Sequence, residues 1–312
     1  MPLPPLSHLL FELGVYALGL VCLWRAWREG PHVVWALLGG LVYGVVLEYV
    51  GLHAKHNSEP EYNYGRFLVM LFANQQQALP LCIVAGWALI IHATMRTTKR
   101  LGAMPWFLRP LVGATLGLGI DLIMDPVASG TGGLGMWYWN EGLRGKWQGV
   151  PLGNFIGWYM VIATFSLCIE LGWRLVPPGR RGFWTDLIVV VCAIPASLVG
   201  CVITQLVYGR FVSGRPWEPL VLVAMLAAGV ALFARYASTF RRGRALGYAV
   251  LAVPVFFQWY FAIWLILGGQ YRELPGMLIV APLAIVAGMV AFCWPYARPR
   301  VANLRARPAA NR

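Results

Sequence analysis

The sequence predicts an all-α, polytopic transmembrane helical bundle. Two features of the composition support this: the 312-residue chain is 59% hydrophobic with only 12% charged residues, and its mean hydropathy is +0.64. A soluble domain usually has about a quarter of its residues charged. A third observation is that apolar segments of about 20 residues, enough to cross a hydrocarbon core of roughly 30 Å, recur along the chain. The composition therefore fits a protein whose solvent is the lipid bilayer.

The apolar segments predict nine membrane spans. The third segment is long and is interrupted by the polar run 74–77 and by Pro80. It is expected to form either an interfacial helix followed by a span or one kinked helix, and eight spans is the alternative count. The predicted spans are 7–24, 33–52, 67–95, 107–126, 154–174, 184–208, 218–237, 246–268 and 276–294.

Basic residues are distributed unevenly between the two sides that nine spans define. One side collects 18 of the 25 Lys and Arg residues, and the richer side usually faces the cytoplasm. The N-terminus is therefore predicted outside and the C-terminus in the cytoplasm, in a multi-pass protein of the plasma membrane. Residues 1–295 are expected to form a single transmembrane domain. Residues 296–312 are expected to be a disordered basic tail that lies on anionic headgroups.

The net charge of +13 does not indicate a nucleic-acid partner. The basic residues sit in short clusters between apolar segments, as they do in loops that anchor a protein to a membrane. The six cysteines lie singly inside apolar segments, without a CxxC pair, which favours buried free thiols over disulfides or a zinc site. The expected surroundings are lipid, and no nucleic-acid partner is predicted.

Carboxylates inside membrane spans are costly and are functional candidates. Glu170 and Asp186 fall near predicted cytoplasmic ends, close to a group of arginines, where an interfacial ion pair is the simpler interpretation. Glu12 lies near the outer end of the first span and fits either a structural or a functional role. These three residues are therefore weaker candidates than the carboxylates of the second and fourth spans.

Glu48, Asp121 and Asp125 fall near the outer ends of the second and fourth spans. The two aspartates are four residues apart, so they share one face of a helix. Two carboxylates held close together in a low dielectric cannot both ionise easily, so one of them is expected to keep its proton near neutral pH. This arrangement predicts a buried acid with a partner base. A polar clamp between helices is the structural alternative.

Residues 127–153, after the fourth span, are predicted to form a re-entrant or lid-like outer loop. This segment combines a glycine-rich run at 129–135 with Trp137, Trp139 and Trp147. An interfacial aromatic belt is the simpler explanation for tryptophans at the end of a span. The density of aromatic and amide side chains favours a lid over a pocket.

The first large outer loop carries His53, His56, Glu59 and Glu61. Their spacing matches no recognised set of metal ligands, so no metal site is predicted. Walker, Rossmann and G-x-S-x-G motifs are also missing from the sequence. Nucleotide-driven and serine-nucleophile chemistry are therefore not expected, and no cofactor is predicted.

Three motifs carry a resemblance to a known family: DLIMDPVA at 121–128, WYW at 137–139 and GVPLGNFIGW at 149–158. They are similar to the signature of the CruF-type carotenoid 1′,2′-hydratases, multi-pass carotenoid biosynthesis proteins that include the bisanhydrobacterioruberin hydratases. The resemblance covers residues 40–175 well and the C-terminal half only by hydropathy. The stretch 52–61 departs from the family pattern by being more polar, which concerns the identity of the substrate.

The resemblance implies that the protein adds water to a terminal isoprenoid double bond, as a cofactor-independent hydratase. Such a reaction needs an acid, aromatic faces beside a tertiary cation, and a group that orients water. The implied catalytic residues are Asp121 or Asp125 as the acid, with Glu48 and Asn154 orienting water. The implied substrate-binding residues are aromatic: Tyr62, Tyr64, Trp137, Trp139, Phe155 and Trp158.

The same constellation of residues fits other functions. A polyene cyclase or isomerase uses the same carbocation, with a base removing a proton in place of water capture. A proton-coupled transporter or lipid-binding protein uses carboxylates as a relay, although it would place polar groups at mid-bilayer. A scaffold subunit of a carotenoid pathway complex is a third class. The expected partners are a membrane-dissolved carotenoid and other enzymes of that pathway.

Overall fold

The computed structural model describes residues 3–53, 55–56, 59–73, 78–129, 133–140, 142–143, 145–240 and 247–305. Within these ranges, nine helices are long and apolar enough to cross a membrane, and they pack as one all-α bundle. The fold class predicted from the sequence is confirmed. The helices are α1 (Leu6–Glu29), α2 (Pro31–His53), α3 (Leu81–Thr98), α4 (Arg109–Ala128), α5 (Leu152–Leu175), α6 (Phe183–Phe211), α7 (Glu218–Ala237), α8 (Tyr248–Leu267) and α9 (Met277–Arg305).

Proline and glycine set several of the helix boundaries. Pro80 and Pro151 cap the N-termini of α3 and α5 in extended conformations, because proline cannot donate the backbone hydrogen bond that a preceding helix would need. Gly30 separates α1 from α2 with a φ of +121°, which a side chain would disfavour. These breaks divide the long apolar stretches into separate spans.

Helices α3 and α4 form the centre of the bundle. In the spans that contain α3 and α4, 78% of an apolar 18-residue stretch is buried inside the protein. The corresponding share for α7 is 17%. Helix α4 contacts α3, α5, α7, α8 and α9. A side chain on the inner face of α4 is therefore shielded from lipid on every side, which is the setting of Asp121 and Asp125.

Residues 67–73 and 78–80 do not form the beginning of the third span, so the predicted span 67–95 is corrected. Both alternatives for this segment placed a helix before Pro80, whereas the chain forms the strands β4 (Met70–Ala73) and β5 (Ala78–Pro80), which pair antiparallel. The polar run 74–77 lies outside the described residues. The backbone N–H groups of Leu68 and Val69 are tied to the carboxylate of Glu12, at 2.6 Å and 2.7 Å. These bonds hold the chain in an extended path.

Helix α9 continues to Arg305, beyond the predicted end of the ninth span at 294. The sequence was expected to become a disordered tail at 296, yet residues 296–305 extend the helix. Adding a residue to an existing helix costs far less than starting a new one. Residues 306–312 of the predicted tail lie outside the described residues.

Further short strands gather at one end of the bundle, where α2 and α4 end and α3 and α5 begin. We call this the site end. The strands are β1 (Lys55–His56), β2 (Glu59–Pro60), β3 (Tyr62–Tyr64), β6 (Trp137–Trp139), β7 (Lys146–Trp147) and β8 (Val150–Pro151). β1 pairs with β2 and β7 with β8, each antiparallel. β3 pairs with β6, which joins the loop after α2 to the loop after α4.

Candidate functional site

Glu48, on the last turns of α2, is buried and accepts three hydrogen bonds from uncharged donors. The hydroxyls of Tyr62 and Tyr64 donate to Oε2, at 2.8 Å and 2.6 Å. The indole Nε1 of Trp87, on α3, donates to Oε1 at 2.6 Å. A buried donor or acceptor left without a partner is costly, so these hydrogen bonds are held in place by the interior itself. Glu48 therefore fixes the positions of three aromatic rings around itself.

Gly51 makes room for this arrangement. It lies nearly one turn beyond Glu48, and a Cβ atom placed on it would come within 2.3 Å of the Tyr62 hydroxyl. No side chain fits at that distance. The glycine therefore lets the phenol of Tyr62 pass over α2 and reach the carboxylate.

The β3–β6 sheet couples the Glu48 environment to that of the aspartates. Its register places Tyr62 opposite Trp139 and Tyr64 opposite Trp137. Facing rings make contact across the sheet: Tyr62 and Trp139 have ring centroids 5.2 Å apart, and Tyr64 and Trp137 have centroids 6.1 Å apart. Cross-strand aromatic pairs of this kind stabilise a short sheet. Two loops that are distant in sequence therefore form one wall.

Asp125 and Asp121 share a single amide donor. The Nδ2 group of Asn154, near the start of α5, donates to Oδ2 of Asp125 and, at 3.3 Å, to Oδ2 of Asp121. Trp137 Nε1 donates to Oδ1 of Asp125 at 2.6 Å. Oδ1 of Asp121 is buried and has no hydrogen-bond partner among the described residues. Among the described residues, Asp125 therefore accepts more hydrogen bonds from the protein than Asp121 does.

The phenols beside Glu48 are held in their protonated form. Burial raises the pKa of Tyr62 and of Tyr64 well above the ordinary value of 10.0, and the nearby charge of Glu48 raises it further. A protonated phenol is a hydrogen-bond donor. Both rings therefore keep donating to the carboxylate across the physiological pH range.

A cavity of about 710 Å³ opens between these groups. Its polar wall includes Glu48, Asp125 and Asn154, and its deeper wall is apolar, with Ile90, Val161 and Phe257 among its residues. Rings cover much of the rest. Trp87 and Trp158 stack on each other, with centroids 3.8 Å apart, and both line the cavity. The volume and the mixed lining are typical of a site for a largely apolar small molecule.

Comparison of the sequence with models of protein families finds a match. The model of the carotenoid biosynthesis protein family matches residues 7–229, more than two thirds of the chain. The chain belongs to the carotenoid biosynthesis protein family. Membership of this family indicates an enzyme of carotenoid biosynthesis. The nine long apolar helices among the described residues indicate a multi-pass membrane protein. No curated protein and no solved structure matches the chain.

The family match spans all the carboxylates described above and ends within α7. Helices α8 and α9 lie beyond it, although Phe257 of α8 contributes to the deep wall of the cavity. The polar wall is therefore built entirely from the part of the chain that carries the carotenoid biosynthesis signature.

The structure brings most of the predicted site residues together. Eight of them line the cavity: Glu48, Tyr62, Tyr64, Asp125, Trp137, Trp139, Asn154 and Trp158. Asp121 is not part of the lining. It is fully buried and is linked to the cavity through Asn154 and Asp125.

Phe155, predicted to bind substrate, is not among the residues that line the cavity. It is fully buried and packs edge-on against Trp147, with centroids 5.6 Å apart. Successive residues on a helix point about 100° apart, so Phe155 cannot share the direction of its neighbour Asn154. Trp158, four residues after Asn154, does share that direction and lines the cavity.

Sequence reasoning did not assign a role to Trp87 or to Tyr208. In the sequence, Trp87 looks like an ordinary core residue of an apolar helix. Its role as a hydrogen-bond donor is visible only in the structure, where its Nε1 group reaches the buried carboxyl group of Glu48 on the neighbouring helix α2. Tyr208 lines the cavity from α6 and donates to Glu218. A Cβ on Gly153 would come within 2.7 Å of the Tyr208 hydroxyl. The glycine in the 149–158 motif was therefore the one sign in the sequence that another side chain packs closely against the start of α5.

Glu12, left open between two roles, serves the fold. It is fully buried and accepts hydrogen bonds from the Tyr16 hydroxyl, at 2.7 Å, and from two backbone N–H groups before β4. These bonds attach the β4–β5 hairpin to α1. Glu12 is not among the residues that line the cavity.

The histidines of the first loop were considered as metal ligands. The Nδ1 group of His53 donates to the backbone carbonyl oxygen of Tyr49, on its own helix, at 2.7 Å. The side chain of His56 lies outside the described part of the structure. Among the described residues, no three His, Cys, Asp or Glu side chains lie close enough together to hold a metal ion.

Proposed function

We propose that the protein adds water to a terminal isoprenoid double bond of a carotenoid, without a cofactor. The observation that carries the proposal is the Asp125 carboxyl group, which lines an aromatic-walled cavity and shares one amide donor with the buried Asp121. Two carboxylates this close in a low-dielectric bundle are strongly disfavoured as two charges, so the pair retains one proton. That proton is the acid the reaction requires.

The reaction begins with transfer of this proton to the less substituted carbon of the alkene. A C–H bond forms, the π bond breaks, and a tertiary carbocation remains on the neighbouring carbon. Trp137, Trp139 and Trp158 line the cavity and offer π faces to a cation. Asp125 faces the cavity and Asp121 does not, so Asp125 is the donor and Asp121 is the partner that stabilises its proton.

Water then attacks the cation and forms the C–O bond of a tertiary alcohol. The oxonium proton returns to the carboxylate pair, which restores the acid and balances the reaction. Glu48 holds Tyr62, Tyr64 and Trp87 in place, and these neighbours orient the water against the cation. Excluding bulk water from the rest of the cavity limits where the cation is captured.

Expression in a bacterium that accumulates lycopene, followed by mass analysis of its pigments, tests the proposal. A hydratase produces pigments heavier by the mass of one water per modified end. A cyclase or isomerase produces new pigments of unchanged mass, because the base removes a proton and no water is captured. Unchanged pigments would contradict both enzymatic functions and favour a transporter, lipid-binding or scaffold role.

A further inference from the structure

The exposed part of the cavity wall lies in one place. Among the described residues that line it, four are exposed, and all four are at the end of α6 or in the turn after it: Gln205, Gly209, Ser213 and Gly214. The other described lining residues, including Tyr208 of α6, are buried or half-buried. The cavity therefore opens along the last turns of α6.

This opening faces the side of the bundle as well as its end. Gln205 and Gly209 are one turn apart, on the same helix face as Val202 and Leu206. Val202 and Leu206 are 56% and 68% exposed and are not among the lining residues. An apolar side chain that projects outward from a membrane span meets lipid. The face that carries Gln205 and Gly209 therefore borders both the cavity and the bilayer.

The neighbours of α6 show between which helices the opening lies. Towards the site end, α5 packs closely on α6, because a Cβ on Gly153 or Gly157 would meet Tyr208 at 2.7 Å or Gln205 at 3.2 Å. Helix α2 contacts α6 further from the site end, where the Tyr43 hydroxyl lies 3.1 Å from Cys201 Sγ.

Beyond Tyr43, the next turns of α2 carry Leu47 and Gly51, which line the cavity. Gln205 and Gly209 do the same on α6. The edges of the opening are therefore Leu47 and Gly51 on one side and Gln205 and Gly209 on the other. We call it the α2–α6 portal.

The depth of the cavity is about half of the bilayer core. Ile90 and Val161 lie nine residues into α3 and α5. At a rise of 1.5 Å per residue this is a depth of roughly 14 Å, against a hydrocarbon core of roughly 30 Å. A C40 polyene is about as long as the core is thick, so it cannot lie lengthwise inside the cavity.

We infer that the α2–α6 portal admits one end of a long polyene directly from the bilayer, while the other end stays in lipid. This inference rests on the proposed function and adds the route that the substrate takes. The reactive end reaches Asp125 inside the cavity, and the remainder of the chain passes between α2 and α6. The two ends of a symmetrical polyene therefore react in separate binding events.

Gly209→Trp tests the portal. A Cβ on Gly209 would meet no heavy atom of the protein within 4 Å, so the indole projects into the opening without displacing the fold. Leu206→Trp is the matched control, because Leu206 is exposed on the same helix but is not a lining residue. Each purified variant is assayed with a C40 polyene and with a C10 alkene that carries the same terminal isopropylidene group.

The portal predicts that Gly209→Trp lowers kcat/KM for the C40 polyene by roughly tenfold or more, because bulk forced into a fitted passage is strongly disfavoured. The loss for the C10 alkene, which fits wholly inside the cavity, is much smaller. In Leu206→Trp, the ratio of kcat/KM for the C40 polyene to kcat/KM for the C10 alkene should stay close to that of the wild type. Equal losses of kcat/KM on both substrates in Gly209→Trp would overturn the inference. It would also be overturned if the wild-type protein is a dimer and Gly209→Trp is a monomer, because this face would then contact a second copy of the chain. If the wild-type protein hydrates neither substrate, the proposed function fails instead.

Discussion

Buried carboxylates occur at both ends of the bundle, and their partners differ. At the site end, Glu48 and Asp125 accept hydrogen bonds from phenol, indole and amide groups. At the opposite end, the buried Glu170 lies 4.0 Å from Lys99, while Glu29, which is exposed, pairs with Arg96. Lys99 also lies over the ring of Trp173, at 3.9 Å, so aromatic rings are present at both ends.

Burial and aromatic rings, which both ends share, do not by themselves make an acid available. A cation beside a carboxylate pairs with it, whereas a neutral hydrogen-bond donor brings no opposite charge to the carboxyl group. Burial lowers the pKa of Lys99 to about 8, yet the charge of Glu170 favours its cationic form. The opposite end therefore holds interfacial ion pairs, as expected for Glu170, whereas the site end keeps carboxylates whose partners are neutral.

The largest expected effect comes from Asp125→Asn. The amide cannot donate an acidic proton, and general acid catalysis contributes about 100- to 10,000-fold, so hydration should fall by that factor. Glu170→Gln, which removes a buried carboxylate that has a cationic neighbour, should leave the rate unchanged. The comparison is measured as pigment hydration per amount of folded protein in the membrane. Wild-type turnover in Asp125→Asn would refute its role as the acid.

A smaller effect is expected when one neutral donor to Glu48 is removed. Tyr64→Phe deletes a hydrogen bond to the buried Glu48 carboxyl group, and a buried acceptor that loses its donor costs about 1–3 kcal/mol. Tyr138→Phe is the matched control, because Tyr138 is exposed on the adjoining strand β6. Thermal unfolding in detergent should show a lower midpoint for Tyr64→Phe than for Tyr138→Phe. Equal midpoints would show that the phenols do not stabilise the carboxylate.

Gly51→Ala perturbs the same cluster through packing. The added methyl would lie 2.3 Å from the Tyr62 hydroxyl, and overpacking typically costs about 1–3 kcal/mol. Gly19→Ala, where the methyl meets no heavy atom within 4 Å, should be neutral or should stabilise α1 by its higher helix propensity. Unfolding midpoints of the two variants make the comparison. A neutral Gly51→Ala would mean that the close approach of Tyr62 to α2 is not needed.

The smallest effect concerns pH. The pKa of Tyr62 and Tyr64 is raised in the folded protein, so their stabilisation is complete below the ordinary value of 10.0 and is lost as the pH rises towards the folded value. Stability should therefore show no loss from these groups up to about pH 10 and a decline above it. The double variant Tyr62→Phe/Tyr64→Phe should decline less steeply in the same alkaline titration. An equally steep decline would exclude the two phenols as its source.

Much of the fold was predictable from the sequence because hydropathy and helix length are set by the same bilayer. Asp121 and Asp125 were predictable as a pair because a spacing of four residues places both on one face of α4. Asn154 lies on α5 and was expected at the site only through the family resemblance. The β3–β6 sheet was not predictable, because each strand has three residues and the two are separated by 72 residues or more along the chain. The pairing of β4 with β5 was missed because the apolar run 67–73 fits a span as well as a strand.

Protonation of carbon by the site-end carboxylates is the central step of the proposed reaction, and hydration in deuterium oxide tests it. Purified protein is incubated with a carotenoid in deuterium oxide, and the product is returned to ordinary water before mass analysis, so that only carbon-bound deuterium remains. The account predicts one deuterium atom at the carbon next to each new alcohol, and none when Asp125 is replaced by Asn. A hydroxylated product without carbon-bound deuterium would contradict it.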